Sequence, residues 1–417
     1  NYFPYDYAAP KDDVPFSTRA TVIATPWNPE TQLVHIALQG EKPALEERPP
    51  LNLVFLIDTS GSMKSPNKLP LLKQSFQLML AQLRPEDKVA IVTYAGSAGQ
   101  VLDPTPANDR STIMAALDKL DAGGSTAGQA GLQQAYATAE SMGKDGDVSR
   151  IILATDGDFN VGTSDVESLK KLIEAKRKEG ISLTTLGFGS GNYNDHLMEQ
   201  LADVGNGNYA YIDTFHEARK VLVEQLDSTL MTIAKDVKIQ IEFNPKLVKQ
   251  YRLLGYENRA LAREDFNNDK VDAGEIGAGH TVTALYELVL NTSDYSDVDP
   301  LRYQSDEVTI QQYKPGTSEE LAFVKFRYKA PKGKKSKLLS QAISMPEKVA
   351  PFGQASQTFR FASTVAQFGE ALRDSKYVDA DYDAIIANAL QSKGDDAMGY
   401  RSEFVQLVRL ASNLDKG

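Results

Sequence analysis

The 417-residue chain has no cysteine, which excludes disulfides, thiolate metal sites and cysteine nucleophiles together and leaves the redox compartment open. Long apolar runs are missing as well. No stretch reaches the roughly 18–20 consecutive apolar residues of a membrane-spanning helix, so no spanning segment is expected in this chain. Basic residues are the minority, 45 Lys and Arg against 56 Asp and Glu, and a net charge of −11 argues against a nucleic-acid binder, which needs a basic face. Histidine is scarce. His35, His196, His216 and His280 form no i, i+4 pair and have no nearby serine arrangement of a hydrolytic triad. What remains is ordinary globular material, 41% hydrophobic and 24% charged, enough for two or three cores.

Between Leu51 and Ser228, short apolar runs alternate with helical periodicity. "LNLVFLID", "VAIVTYA", "RIILATD" and "ISLTTLGFG" read as buried strands ending near Gly, Asp or Ser. Leu69, Leu72, Phe76, Leu80 and Leu83, and later Val166, Leu169 and Ile173, recur at helical spacing. The repeated strand–helix unit predicts an α/β fold with a doubly wound, mostly parallel sheet. Outside it the period changes to two: Val34, Ile36 and Leu38; Val237, Ile239, Ile241 and Phe243; Val324, Phe326 and Tyr328. These alternations predict antiparallel strands with one buried face. Residues 18–40 are too few to bury their own face, so they are expected to pair with strands from 236–330, the two flanks forming one sandwich around the inserted α/β block. The organisation expected is a β arm and linker over 1–50, the α/β domain over 51–228, a β-rich sandwich domain over 229–345 and a helical segment over 346–417.

The chemistry collects at strand ends. Asp58, Ser60 and Ser62 alternate in "DTSGS", directly after an apolar strand, in a loop opened by Gly61. "GGSTAG" places Thr126 just before a helix, and "LATDGD" places Asp156 at the end of another apolar strand. Open parallel sheets bind ligands beyond the carboxyl ends of their strands, and hydroxyls with carboxylates are the donors that hard divalent cations take. These five residues are the candidate metal ligands; no catalytic residue is assigned.

The pattern Asp58-x-Ser60-x-Ser62, then Thr126, then Asp156, resembles the metal-ion-dependent adhesion site of the von Willebrand factor type A domain, with every position filled over about 180 residues. The resemblance implies that the serines and the threonine coordinate an ion directly or through water and that the two aspartates act largely through water. It implies one divalent cation, Mg²⁺ first with Mn²⁺ or Ca²⁺ as alternatives, and one position left for a Glu or Asp of a protein partner. "NYFPYDY" and "EDFNNDKVDAGEIGAGHTVTALYEL", residues 264–288, are similar to flanks of bacterial cell-envelope von Willebrand A proteins, often predicted lipoproteins. That similarity implies a periplasmic or cell-surface protein, lipid-anchored through an N-terminal segment upstream of Asn1.

The function expected is a metal-dependent adhesion or scaffold module rather than an enzyme. A metal-assisted hydrolase and a purely structural envelope protein are the alternatives, the former short of a general base except Asp158. Other motifs have plainer readings. Asp58, Ser60 and Ser62 alone read equally as a turn capping a helix, and a haloacid-dehalogenase nucleophile wants a second Asp where Ser60 stands. Asp265, Asn267 and Asp269 alternate as in an EF-hand loop, but Lys270 replaces its Gly and Ile276 its Glu, which favours a polar hairpin. "GFGSGN" lacks the Lys and Ser/Thr of a phosphate loop. "KAPKGKKSK" reads as a solvated loop between strands, and Trp27 as a residue packed in the β arm.

Overall fold

A computed structural model of the chain describes residues 2–11, 14–44, 48–95, 97–124, 128–144, 146–157, 166–189, 195–255, 261–269, 271, 273–296, 320–331 and 333–415. In chain order the elements are β1 (Phe16–Ala24), β2 (Gln32–Gly40), β3 (Leu51–Asp58), α1 (Leu69–Leu80), β4 (Lys88–Ala95), β5 (Ser97–Pro106), α2 (Arg110–Asp118), α3 (Gly128–Met142), β6 (Val148–Thr155), α4 (Val166–Lys178), β7 (Ile181–Phe188), α5 (Asp195–Val204), β8 (Tyr209–Ile212), α6 (Phe215–Arg219) and α7 (Leu226–Leu230). There follow β9 (Thr232–Phe243), β10 (Val248–Leu254), β11 (Gly274–Gly277), β12 (Thr281–Leu290), β13 (Glu320–Lys329), β14 (Lys337–Ser344), α8 (Gln357–Leu372), α9 (Tyr382–Ser392) and α10 (Tyr400–Asp415). The chain makes two compact units, residues 42–232 and residues 1–41 with 233–417.

The first unit is built on a six-stranded sheet ordered β5-β4-β3-β6-β7-β8. Every pairing is parallel except β4 with β5. All of β3 is buried because helices cover both faces. Phe55 and Ile57 pack with Leu72, Phe76 and Met79 of α1, while Val54 and Leu56 pack with Leu132, Ala135 and Tyr136 of α3. β5 escapes the apolar-run reading because Pro104 and Pro106 interrupt it and its register against β4 shifts twice. An edge strand tolerates that, since its outer N–H groups have no ladder to join. At the other end of β3, the buried Asp87 carboxylate accepts from Leu51 N–H at 2.9 Å, Arg84 N–H at 2.8 Å and the Arg48 guanidinium at 2.8 Å.

The second unit holds two four-stranded antiparallel sheets, β1-β2-β12-β10 and β11-β9-β13-β14. β2 pairs with β12 in the register Leu38↔Val282 and Ile36↔Ala284, so the early strands join the C-terminal flank as their alternation requires. The sheets face each other as a sandwich. Phe16 lies edge-on to Phe326 and Tyr328, and Phe243 meets Tyr251 and Tyr286.

Two local patterns differ from simple alternation. β2 is buried on both faces, because α8 lays Phe359 over Ile23, Leu33, Leu254 and Leu285 and stacks it on His35 at 4.5 Å. Trp27 packs partly on the same cluster and donates its Nε1–H to Glu287 at 3.2 Å. In β9, Lys238 is buried while Val237, Ile239 and Ile241 are only partly so. Its ammonium donates to the carbonyls of Asp265 at 2.9 Å and Asn268 at 2.6 Å, and the Asp269 carboxylate takes Arg327 and Ser336. The EF-hand-like loop therefore holds the protein's own cations and is a polar turn; Lys270 lies outside the described residues. A last cluster packs Phe3 and Tyr5 against Phe361, Phe368 and Phe404 of α8 and α10. No helix among the described residues is long and apolar enough to cross a membrane.

Candidate functional site

The strand order reverses at β3, with β4 on one side and β6 on the other, and a crevice opens beyond the carboxyl ends at such a switch. Asp58 is the last residue of β3 and is fully buried; Asp156 directly follows β6. The parallel register Ile57↔Ala154 sets Asp58 beside Thr155.

The Asp58 carboxylate is held on two sides. Ser60 N–H donates to Oδ1 at 2.8 Å, closing an Asx-type turn, and Thr155 Oγ1–H donates to Oδ2 at 3.0 Å. Burial, and behind it the negative charge of Asp156, raise the Asp58 carboxyl above its ordinary range, although the Ser60 and Thr155 hydrogen bonds pull it back. Tyr94, at the end of β4 and fully buried, has its ionisation pushed well above the tyrosine range by burial first and by Asp58 next. The two aspartates and the tyrosine thus share one electrostatic pocket.

Ser60 stands at the N-cap of a short 3₁₀ turn, Gly61–Lys64, yet its side chain makes no capping bond there. Its hydroxyl lies 2.9 Å from that of Ser62. Met63 is buried in the α1-side core and pins the loop, while Gly61 and Ser62 face solvent. Backbone bonds tie this loop to the next: Gly61 N–H donates to Gly124 O at 3.3 Å and Gly123 N–H to Thr59 O at 2.8 Å. Gly124 adopts φ +93°, a conformation that favours glycine, two positions before Thr126. Thr126 itself lies outside the described residues, as do Asp158 and the end of "GFGSGN". Among the described residues no group of three or more His, Asp or Glu is arranged to hold a metal ion. The donors assembled by Asp58, Ser60, Ser62 and Asp156 are two carboxylates and two hydroxyls, the hard-oxygen set suited to Mg²⁺ or Ca²⁺.

Three contributors to this edge carry no obvious sequence signal. Thr155 and Tyr94 read as strand residues, and Lys68 reads as the polar residue before α1. Lys68 Nζ in fact donates to Asp156 Oδ2 at 2.8 Å, with the Asp156 side chain 3% exposed.

Residues 52–225 match the family model of the von Willebrand factor type A domain, a module that commonly mediates protein interactions. The whole chain is similar to the Escherichia coli (strain K12) protein YfbK, 45% identical over 423 residues, covering 99% of this chain and 72% of that protein. The chain belongs to the YfbK family. Its residues 228–414 match the model described as "Uncharacterized protein YfbK, C-terminal", and residues 1–35 match one described as "von Willebrand factor". The YfbK-family chain is also 29% identical to the Synechocystis protein sll0103 over 185 residues, 44% of this chain and 43% of that protein. Among solved structures it is similar to the von Willebrand factor type A protein from Catenulispora acidiphila, with 16% identity, TM-score 0.49, and coverage of 93% of this chain and 88% of that one.

Proposed function

We propose that the chain is a divalent-cation-dependent protein-binding module and not an enzyme. Asp58, Ser60, Ser62, Thr126 and Asp156 would hold Mg²⁺, with Mn²⁺ or Ca²⁺ as substitutes, and the partner would present an exposed Glu or Asp. The ion would supply positive charge that the protein ligands neutralise only in part, which attracts an incoming carboxylate.

One observation carries the reading. Ser60 occupies an N-cap position and does not cap; its hydroxyl instead sits with that of Ser62, beside the buried Asp58 carboxylate, which feels the charge of Asp156. A loop built only to start a turn would spend that hydroxyl on a backbone N–H. The chain's own residues perform the rest of the work: Thr155 and the Ser60 amide orient Asp58, Met63 fixes the loop, and Gly61 with Ser62 keeps the mouth open.

Thermal melting with and without Mn²⁺ or Mg²⁺ tests the site, because a ligand that binds only the folded state stabilises it by mass action. The wild type should rise in Tm and Asp58→Ala should not; identical responses overturn the assignment. Capture from envelope extract, with and without chelator, tests the binding role, and Asp156→Ala should capture nothing in either condition. Metal binding without chelator-sensitive capture would favour the structural reading, and turnover that depends on metal would favour a hydrolase. The setting proposed is periplasmic or cell-surface with lipid anchoring, supported by the flank similarity; fractionation of cells making the natural protein tests it, an all-cytosolic product overturning it.

A further inference from the structure

Lys68 and Asp156 stand 88 positions apart in sequence, and their meeting is created entirely by the fold. The carboxylate is the fixed half of the pair, directly following the central strand β6 and almost wholly buried. The ammonium ends a four-carbon stem with rotatable bonds. Its side chain is 16% exposed and runs on a flexible stem that passes over Gly189, whose α-carbon leaves it room. A Cβ on Gly189 would stand 2.6 Å from Lys68 Cε and 2.7 Å from Cγ, and the φ of +91° at Gly189 is itself a glycine conformation.

The charges at this edge set the competition. Asp58 and Asp156 bring two carboxylates, and Lys68 neutralises half of that charge at Asp156 Oδ2. A divalent cation drawn to the same two carboxylates meets a positive charge already placed on one of its ligands. Like charges repel more strongly where water is mostly excluded than in bulk water. An ion held through Asp156 would therefore compete with the ammonium for that carboxylate.

We propose that Lys68 is a tethered cation that holds Asp156 in the metal-free protein and is displaced from it when a divalent ion binds, which lowers the affinity of the site and couples metal uptake to release of the Lys68 amine at its mouth. The proposal rests on the metal-site reading above. The tether gives the free protein a satisfied buried carboxylate, so the loops need no ion to stay in place. It also delivers a free ammonium to the position where an anionic partner would arrive.

Titration calorimetry with Mn²⁺ on the intact chain, wild type against Lys68→Met and Lys68→Arg, is the first measurement. Lys68→Met should bind Mn²⁺ roughly ten- to a hundredfold more tightly, the range spanned by loss of one charge-assisted hydrogen bond, and Lys68→Arg should not. Equal affinity in wild type and Lys68→Met overturns the proposal. The second measurement needs no change at Lys68: amine acylation followed by mass spectrometry. Lys68 should react slowly in metal-free protein, faster at saturating Mn²⁺, and fast without metal in Asp156→Asn. If Mn²⁺ binds, and fails to bind in Asp58→Ala, while Lys68 stays protected, the tether is wrong and the metal site stands. If neither wild type nor Lys68→Met binds Mn²⁺, both readings fall.

Discussion

Across the seam between β6 and β3, the Thr155 hydroxyl donates to Asp58 Oδ2 at 3.0 Å, and its own oxygen accepts from Gly157 N–H at 3.2 Å. One side chain thereby joins the carboxylate of the first loop to the backbone beyond Asp156. Thr155→Val keeps the shape and removes both bonds. It should cost about 1–3 kcal/mol in urea unfolding, because a buried carboxylate loses a donor, and Thr155→Ser should recover much of it. A valine variant as stable as wild type would show that the hydroxyl does not support the site.

Asp87 ties the opposite end of β3. Its carboxylate gathers Arg48, the Leu51 amide and the Arg84 amide, and both ends of the Arg48–Asp87 pair are buried. Asp87→Ala strands the Arg48 charge, relieved among the described residues by the longer contact to Asp227 at 3.3 Å. A loss of about 3 kcal/mol is expected, partly restored when Arg48→Met is added. Denaturant midpoints of the single and double variants decide it: a double variant weaker than Asp87→Ala contradicts the account.

His35 sits between Tyr7, whose hydroxyl is 2.9 Å from Nε2, and the ring of Phe359. Burial first, and the charge of Arg19 next, lower its pKa from 6.5 to about 4. Below pH 6.5 the unfolded chain takes up a proton that the folded chain refuses until about pH 4, so this contribution is complete above pH 6.5 and lost as pH falls. Each pH unit inside the window costs about 1.4 kcal/mol. Comparing stability against pH for wild type and His35→Gln isolates the effect; parallel curves between pH 6.5 and 4 would assign the slope to other groups.

Gly131 lets α3 lie against the sheet. A Cβ there would stand 2.8 Å from Tyr94 Cβ and 3.1 Å from Leu56 Cδ1. Gly131→Ala improves helix propensity by about 1 kcal/mol but overpacks the interface by about 1–3 kcal/mol. The net should be a lower Tm and a smaller Mn²⁺-induced rise, since α3 begins just past the Thr126 loop. A higher Tm would mean that the helix shifts without strain.

Features that live within a few residues were legible from the chain alone. The apolar run Leu53–Ile57, short and ended by turn residues, reads as a strand covered on both sides, and the carboxylate with two hydroxyls that follows it falls at the carboxyl edge of the sheet. The two-residue period of the flanks likewise required a partner sheet, and β2 finds it in β12. The path of loops and the docking of helices depend on packing between distant segments, which no local pattern encodes. Tertiary structure alone brought Lys68 to Asp156, turned Lys238 inward onto two carbonyls, and buried His35 under Phe359 on a face that alternation would leave to water. It also made a strand of the proline-interrupted β5, since a neighbour's unpaired edge can recruit a segment whose own propensity is poor.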